Sequence, residues 1–154
     1  MGAKLNRGGS RQDYQTPKEF LTAVYQRLMI PGFELDAAAS TQNAVTTLFY
    51  DEAMDGLSRP WFSWTWCNPP YSNITPWTEK AWTESLLGAS SAMLIPASPG
   101  SNWWKQWVHN KAHVLFLNGR ITFVGEKYPY PKDCALLLYT PQVRGGYEVW
   151  SWMQ

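Results

Sequence analysis

Cysteine, net charge and long apolar runs are all scarce in this 154-residue sequence. Its two cysteines, Cys67 and Cys134, lack the spacing of a metal site or a disulfide framework, so we expect no bound metal and a reducing, cytoplasmic environment. No apolar run reaches membrane length and no signal-peptide pattern is present, which argues against a membrane protein. Because the formal net charge is only +1, contact with a polyanion would require a local basic patch.

Basic residues are concentrated near the amino terminus. Lys4, Arg7 and Arg11 all precede the first acidic residue, Asp13, and lie among glycine and serine. We therefore predict a flexible basic arm over residues 1–12 and a single domain over residues 13–154. The arm is either a solvated terminus or a segment that contacts phosphates.

Tryptophan is abundant, with ten residues in the chain. Large aromatic side chains dominate the burial of small domains, so we expect most of these tryptophans in the core or in an interface. A minority, such as the cluster at 103–107, is available to stack on bases or to line a pocket.

Helical and strand patterns alternate in the first two thirds of the chain, and strand patterns cluster in the last third. Thr16, Pro17 and Glu19 form a capping-box pattern, so we predict a helix from Pro17 to the Pro31-Gly32 pair. Further helices are predicted to start at Thr75 and after Ser101. Strands are predicted at 33–36, 46–50, 61–67, 92–96, 113–117, 120–124, 135–140 and 147–152. This order indicates an α/β fold with a mostly parallel central sheet, antiparallel strands at an edge formed by the carboxyl-terminal part, and helices on both faces.

The most informative segment is Asn68-Pro69-Pro70-Tyr71, which follows the predicted strand at 61–67. The Asn68 side-chain oxygen and the Pro69 carbonyl are two acceptors for the hydrogens of a planar amino group. Accepting those hydrogens favours the tetrahedral nitrogen that develops when the group is alkylated. The prolines restrict the backbone, and Tyr71 offers a flat face for stacking a base.

Acidic residues near other strand ends complete a candidate crevice. Asp36 and Asn68 both stand at predicted carboxyl ends of strands, and Asp55 lies in the turn region 51–60, so the three are expected to share one site. Each acid also has a structural explanation. Asp36 would cap a helix, Asp55-Gly56 would form a turn, and Asp51 with Glu52 would be solvated rather than bind a ribose.

With these residues assembled, the chain resembles the phage-type Dam family of DNA adenine-N6 methyltransferases over roughly residues 13–139. The resemblance rests on five segments: Asp13-Tyr14-Gln15-Thr16-Pro17, Leu35-Asp36-Ala37-Ala38-Ala39, Asp55-Gly56-Leu57, Asn68-Pro69-Pro70-Tyr71 and Gly119-Arg120-Ile121-Thr122-Phe123. It implies a Rossmann-like fold, S-adenosylmethionine as methyl donor, no metal, and flipped adenine in DNA as substrate in a bacterial host cell. A homodimer is also compatible with it.

The resemblance further implies roles for individual residues. Asn68, Pro69, Pro70 and Tyr71 would be catalytic. Cofactor contacts are expected at Tyr14, Thr16, Pro17, Asp36, Ala37, Asp55 and Asn68. DNA or target-base contacts are expected at Tyr71, Ser98, Lys105, Arg120 and Phe123, although Arg120 and Phe123 also fit a surface arginine and a core phenylalanine.

Three other functions remain open at this level. A methyltransferase acting on protein glutamine or RNA guanine also uses an Asn-Pro-Pro-Tyr loop. A catalytically silent binding module is conceivable because the segment at 36–39 has alanines where most methyltransferases of this type have a glycine-rich turn. A tryptophan-rich interaction protein would leave Asn68-Pro69-Pro70-Tyr71 without an explanation.

Overall fold

A computed structural model describes residues 14–154, so the predicted basic arm lies outside the described residues. Three helices and six strands make up the described part: α1 Lys18–Leu28, β1 Leu35–Asp36, β2 Thr65–Cys67, α2 Thr75–Leu86, β3 Ser91–Pro96, α3 Asn102–Trp107, β4 His113–Asn118, β5 Cys134–Tyr139 and β6 Tyr147–Ser151. None of the described helices is both long enough and apolar enough to span a membrane.

The six strands form one mixed sheet in the order β1-β2-β3-β5-β4-β6. β1, β2 and β3 run parallel to one another, as do β4 and β6, and only β5 runs antiparallel to its neighbours. The mostly parallel sheet is therefore confirmed. Antiparallel pairing in the carboxyl-terminal part is confirmed in β5, but its predicted position at an edge is wrong, because β5 lies between β3 and β4 in the interior of the sheet.

Helices cover both faces of the sheet, as expected. β3 shows why: every residue is buried, Met93 and Ile95 face one core, and Ala92 and Leu94 face the other. The first core includes Trp77 of α2, and the second includes Phe20 of α1, whose ring packs edge-on against a tryptophan. Five tryptophans are buried and the other five are partly buried, which confirms their expected place in the core.

Several local predictions need correction. Helix α1 begins at Lys18 with Pro17 at the N-cap position and no side-chain capping bond, so the capping box at Thr16 is wrong. Residues 46–50 form only an isolated bridge between Phe49 and Asp36. The strand predicted at 61–67 is reduced to β2, because the Trp61 amide donates to the Glu84 carboxylate, 2.8 Å away, instead of to a neighbouring strand.

The predicted strand at 120–124 is also wrong, although its alternating burial is real. Ile121 and Phe123 are buried, yet the backbone around them pairs with loops. The Val124 amide donates to the Gln15 carbonyl at 3.0 Å, and the Tyr130 amide donates to the Ile121 carbonyl at 2.7 Å. A burial pattern of period two thus arises here without a strand partner.

Candidate active site

The Asn68-Pro69-Pro70-Tyr71 loop leaves the carboxyl end of β2, as the sequence predicted. The Asn73 amide donates to the Pro70 carbonyl at 3.1 Å and closes a turn. The Asn68 Oδ1 atom is buried and has no hydrogen-bond partner among the described residues. Because an unpaired buried acceptor is costly, Asn68 has the character of a group reserved for a ligand.

Tyr71 is surrounded by aromatic side chains. Its ring centroid lies 5.8 Å from that of Tyr14 and 5.6 Å from that of Tyr130. Tyr14 in turn stacks on Phe123 at 4.3 Å with an interplanar angle of 19°. These four rings, Tyr14, Tyr71, Phe123 and Tyr130, are called the aromatic cluster below.

The aromatic cluster keeps Tyr71 uncharged. Its hydroxyl is buried without a partner among the described residues, and burial, followed by the nearby Cys134, raises the pKa of Tyr71 well above 10. Burial likewise raises the pKa of the Cys67 thiol well above its usual range, and that of Cys134 to about 12. A tyrosinate base and a thiolate nucleophile are therefore both disfavoured next to Asn68.

Tyr130 is the residue of this site that sequence reasoning missed. It is 5% exposed and touches three members of the aromatic cluster. The only signal in the sequence is the alternation Tyr128-Pro129-Tyr130-Pro131 in a predicted loop, and alternation in a loop does not show which tyrosine points inward.

Phe123 and Arg120 occupy different environments at the edge of this region. Phe123 is 1% exposed, so its ring supports Tyr14 from inside the core. Arg120 Nε donates to Asp133 Oδ1 at 3.0 Å, and both side chains are largely exposed. The Ala97 amide donates to the Asp133 carbonyl at 2.9 Å, which places Arg120 close to the loop after β3.

Asp36 is buried beneath the segment that follows β1. It is 2% exposed, and its carboxylate accepts hydrogen bonds from the Val45 amide at 3.1 Å and the Ala38 amide at 3.3 Å. No helix follows Asp36, so the predicted helix cap is wrong and the carboxylate instead holds the 37–45 segment. Burial raises the pKa of Asp36 to about 7, against the lowering effect of the two amide bonds.

A cleft of about 640 Å³ opens beside this segment. Its lining combines alanines 37–39, the acids Asp51, Glu52 and Asp55, and apolar groups that include Leu57, Trp77 and Pro70. This size is typical of a site for a small molecule. The cleft brings Ala37, Asp55 and Pro70 together, whereas Asp36 and Asn68, which were predicted to share one site with Asp55, are not part of its lining.

Gly56 explains how the cleft is closed on one side. A Cβ at this position would overlap the Ala37 carbonyl oxygen and lie 3.3 Å from the Trp77 ring. The Gly56 carbonyl also accepts a hydrogen bond from Trp61 Nε1 at 2.9 Å. The turn at 55–57 therefore packs directly on the carboxyl end of β1, and Asp55 adopts a positive φ of 62° to make it.

A second, smaller cleft of about 320 Å³ contains the predicted residue Thr16. It is also lined by Lys18, Tyr25 and Val45, and Asn43 lines both clefts. The 37–45 segment thus separates the smaller cleft, which contains Thr16, from the larger cleft, which contains Asp55. The Asp36 carboxylate holds this segment through its bonds to the amides of Ala38 and Val45.

Three further predicted residues, Pro17, Ser98 and Lys105, line neither cleft and are not part of the aromatic cluster. Pro17 precedes α1, Ser98 is partly exposed and accepts a bond from the Ser101 amide at 3.0 Å, and Lys105 is exposed on α3. No group of three or more His, Cys, Asp or Glu side chains within residues 14–154 is arranged to hold a metal ion.

The sheet, the helices on its two faces and the Asn68-Pro69-Pro70-Tyr71 loop at its carboxyl edge are consistent with a Rossmann-like methyltransferase fold. The chain belongs to the DNA N-6-adenine-methyltransferase (Dam) family, which it matches over residues 6–142. The resemblance derived from the sequence is therefore confirmed.

Two relatives are phage proteins, both named DNA N-6-adenine-methyltransferase. The chain is 30% identical to that of Escherichia phage T1 over 114 residues, which cover 73% of this chain and 47% of the relative. It is 29% identical to that of Haemophilus phage HP1 over 98 residues, which cover 62% and 57%. The chain thus matches about half the length of these relatives.

Proposed function

We propose that this protein transfers a methyl group from S-adenosylmethionine to N6 of adenine in DNA, as a phage or prophage enzyme of the host cytoplasm. The observation that carries the proposal is the buried, unpartnered Oδ1 of Asn68 at the carboxyl edge of the sheet. Membership of the Dam family and the names of the two phage relatives support it.

The catalytic loop supplies acceptors rather than a base. Asn68 Oδ1 and the Pro69 carbonyl accept the two hydrogens of the adenine amino group and direct its lone pair away from the ring. Since the thiol of Cys67 and the phenol of Tyr71 stay protonated, the amino nitrogen itself is the nucleophile. The extra proton is lost to water after transfer.

The larger cleft fits the nucleoside part of the cofactor. Asp51, Glu52 and Asp55 offer carboxylates for sugar hydroxyls, and Leu57 and Trp77 offer apolar surface for a base. When bound, S-adenosylmethionine supplies an electrophilic methyl group on its sulfonium. The smaller cleft beside Thr16 suits the methionine end, and Asp36 positions the intervening segment without lining either cleft.

The target adenine is extruded from the DNA stack and placed against Tyr71. The aromatic cluster fixes the orientation of that ring, with Phe123 acting through Tyr14. Arg120 is available for a phosphate when its exposed pair with Asp133 opens, since such surface pairs are weak. Ser98 and Lys105 provide further polar contacts to the DNA backbone.

The experiment that tests the proposal is methyl transfer to DNA from a strain lacking adenine methylation. The purified protein is incubated with isotopically labelled S-adenosylmethionine, and the digested DNA is examined by mass spectrometry. We expect labelled N6-methyladenine with the wild type and at least about 10²-fold less with Asn68→Ala in the same reaction time.

Parallel reactions separate the alternatives. The same reaction is run with a glutamine-containing peptide and with RNA. If the labelled methyl group appears on glutamine or on RNA guanine and not in DNA, the enzyme has a different amide or amino substrate. Failure of the protein to bind S-adenosylmethionine in calorimetry, together with no transfer, would identify a silent binding module.

A further inference from the structure

A six-residue surface loop projects next to the aromatic cluster. Residues 124–129 are all exposed, whereas Phe123 and Tyr130 on either side are buried. Backbone bonds close the base of this loop, from the Tyr130 amide to the Ile121 carbonyl at 2.7 Å and from the Glu126 amide to the Phe123 carbonyl at 3.0 Å. Compact loops whose ends meet in this way often carry function.

Tyr128 at the tip of this loop is unusually exposed. Across residues 14–154, exposed aromatic side chains occur at Phe62, Tyr128 and Tyr147, with exposed fractions of 42%, 69% and 43%. Phe62 and Tyr147 stand at the amino ends of β2 and β6. Tyr128 alone of the three lies on the connection from the end of β4 to the start of β5, at the catalytic edge.

The position of Tyr128 relative to the site follows from the chain. β5 starts at Cys134, which pairs with Pro96 at the carboxyl end of β3. Tyr130, two residues from Tyr128, contacts the catalytic Tyr71 at 5.6 Å between centroids. The loop is therefore anchored on the ring that would hold the target base.

Basic groups accompany the exposed ring. The Lys127 ammonium lies 5.4 Å from the centroid of the Tyr128 ring, and Lys132 is exposed at the far end of the connection. The acids nearby are Glu126, which is exposed within the loop itself, and Asp133, which Arg120 engages at 3.0 Å. An exposed aromatic ring with adjacent lysines is the combination that proteins use to stack on bases and to contact phosphates.

We propose that residues 124–129 form a DNA-docking loop in which Tyr128 stacks on a nucleobase flanking the target adenine and Lys127 contacts a phosphate. This inference rests on the proposed function and extends it to a residue outside the catalytic loop. Such a contact would occupy the stack where the extruded base leaves a gap, and the stacked ring would help keep the adenine in the site.

The test compares Tyr128→Ala with Tyr128→Phe and with the matched control Phe62→Ala, an exposed aromatic at the opposite edge. The affinity for fluorescently labelled unmethylated DNA is measured by anisotropy, KM for DNA by methyl transfer, and cofactor affinity by calorimetry. We expect Tyr128→Ala to weaken DNA binding and to raise KM for DNA about tenfold or more. Tyr128→Phe and Phe62→Ala should stay within about twofold of wild type, and all three should bind cofactor normally.

Lys127→Ala gives a second readout. The plot of log affinity against log salt concentration has a negative slope. Lys127→Ala should make that slope less steep by about one, because one phosphate contact is lost. DNA affinity that is unchanged in Tyr128→Ala, or reduced equally in Phe62→Ala, would overturn the docking loop. If wild-type protein methylates no DNA, the proposed function fails separately, and the anisotropy comparison still decides the role of Tyr128.

Discussion

The carboxyl and amino edges of the central sheet differ in whether their polar side chains have hydrogen-bond partners within the protein. At the carboxyl edge, Asn68 Oδ1 and the Tyr71 hydroxyl are buried without partners among the described residues, and the Asp36 carboxylate is buried with amide partners. Near the amino edge, His113 Nδ1 lies 3.1 Å from the Gly145 carbonyl oxygen and His113 Nε2 lies 2.9 Å from a Glu148 carboxylate oxygen.

This difference separates stability from function within one sheet. Arg27 and Glu148 form an ion pair at 2.7 Å that links α1 to β6, whereas Asn68 Oδ1 and the Tyr71 hydroxyl at the carboxyl edge have no partner among the described residues. Each buried polar group without a hydrogen bond makes the free energy of folding less favourable. Such groups are therefore expected where a ligand supplies the missing hydrogen bond. Ser91 Oγ is the exception, because it is buried and unpartnered at the start of β3.

The largest expected effect comes from comparing Asn68→Ala with Ser91→Ala. Each variant removes an unpartnered buried oxygen, so neither should lower the melting temperature by more than a few degrees. Asn68→Ala should reduce kcat at least about 10²- to 10³-fold at nearly unchanged cofactor affinity, since it loses a transition-state acceptor. Ser91→Ala should keep wild-type kcat in the same methyl-transfer assay. Equal kcat values for the two variants would remove the distinction between the edges.

The raised pKa of Asp36, at the carboxyl edge, predicts an unusual pH dependence of the free energy of unfolding. Its pKa is about 7 in the folded chain and 3.8 as the ordinary value, mainly because of burial. Its contribution to stability is therefore fully present below pH about 3.8 and is lost as the pH rises to about 7, a change of a few kcal/mol. Urea unfolding from pH 4 to 8 should show this slope in the wild type but not in Asp36→Asn. Parallel curves would mean that Asp36 keeps an ordinary pKa.

A substitution at Gly56 tests whether close packing of the turn at 55–57 on the end of β1 shapes the larger cleft. Gly56→Ala would force its Cβ into the Ala37 carbonyl and should cost about 1–3 kcal/mol of unfolding free energy. Calorimetry should also show weaker binding of S-adenosylmethionine. The control is Gly32→Ala, because nothing lies within 4 Å of a Cβ there. If Gly56→Ala binds the cofactor like the wild type, the turn at 55–57 does not shape the site.

The smallest effect belongs to Glu148 near the amino edge. Hydrogen bonds from Arg27 and then His113 hold the pKa of Glu148 below 4.5. Its contribution is therefore present above about pH 4.5 and is lost as the pH falls, the reverse of Asp36. Because the side chains of the pair are 33% and 40% exposed and solvent screens their attraction, Glu148→Gln should cost less than about 1 kcal/mol at pH 7. Thermal unfolding at pH 7 and pH 3.5 checks this, and a cost that persists at the lower pH would contradict it.

Much of the fold was readable from local pattern. The helix after Pro17, the helix at Thr75 and the buried run of β3 follow from periodicity and from the positions of proline. The segment at 120–124 shows where this reasoning fails. Its alternating burial suits a strand, but hydrogen bonds to Gln15 and Tyr130 compete for its backbone.

The candidate site also has a part that could be predicted from local sequence and a part that could not. The order of residues in Asn68-Pro69-Pro70-Tyr71 indicated the chemistry, since an amide oxygen, a proline carbonyl and an aromatic face are properties of the residues themselves. Asp36 could not be assigned locally, because its role depends on Val45, nine residues away, whose amide it meets only after folding.

Local patterns in the amino-acid sequence were enough to predict the alternation of helices and strands, the Asn68-Pro69-Pro70-Tyr71 loop after a strand, and the family. Only the folded chain shows that β5 lies inside the sheet, that Tyr130 is buried while Tyr128 is exposed, and that the Asp36 carboxylate holds the segment beside the larger cleft. The physical reason is the distance along the chain over which each kind of interaction acts. Propensity and periodicity act over a few residues, whereas burial, unpaired acceptors and shifted pKa values depend on groups that only the folded chain brings together.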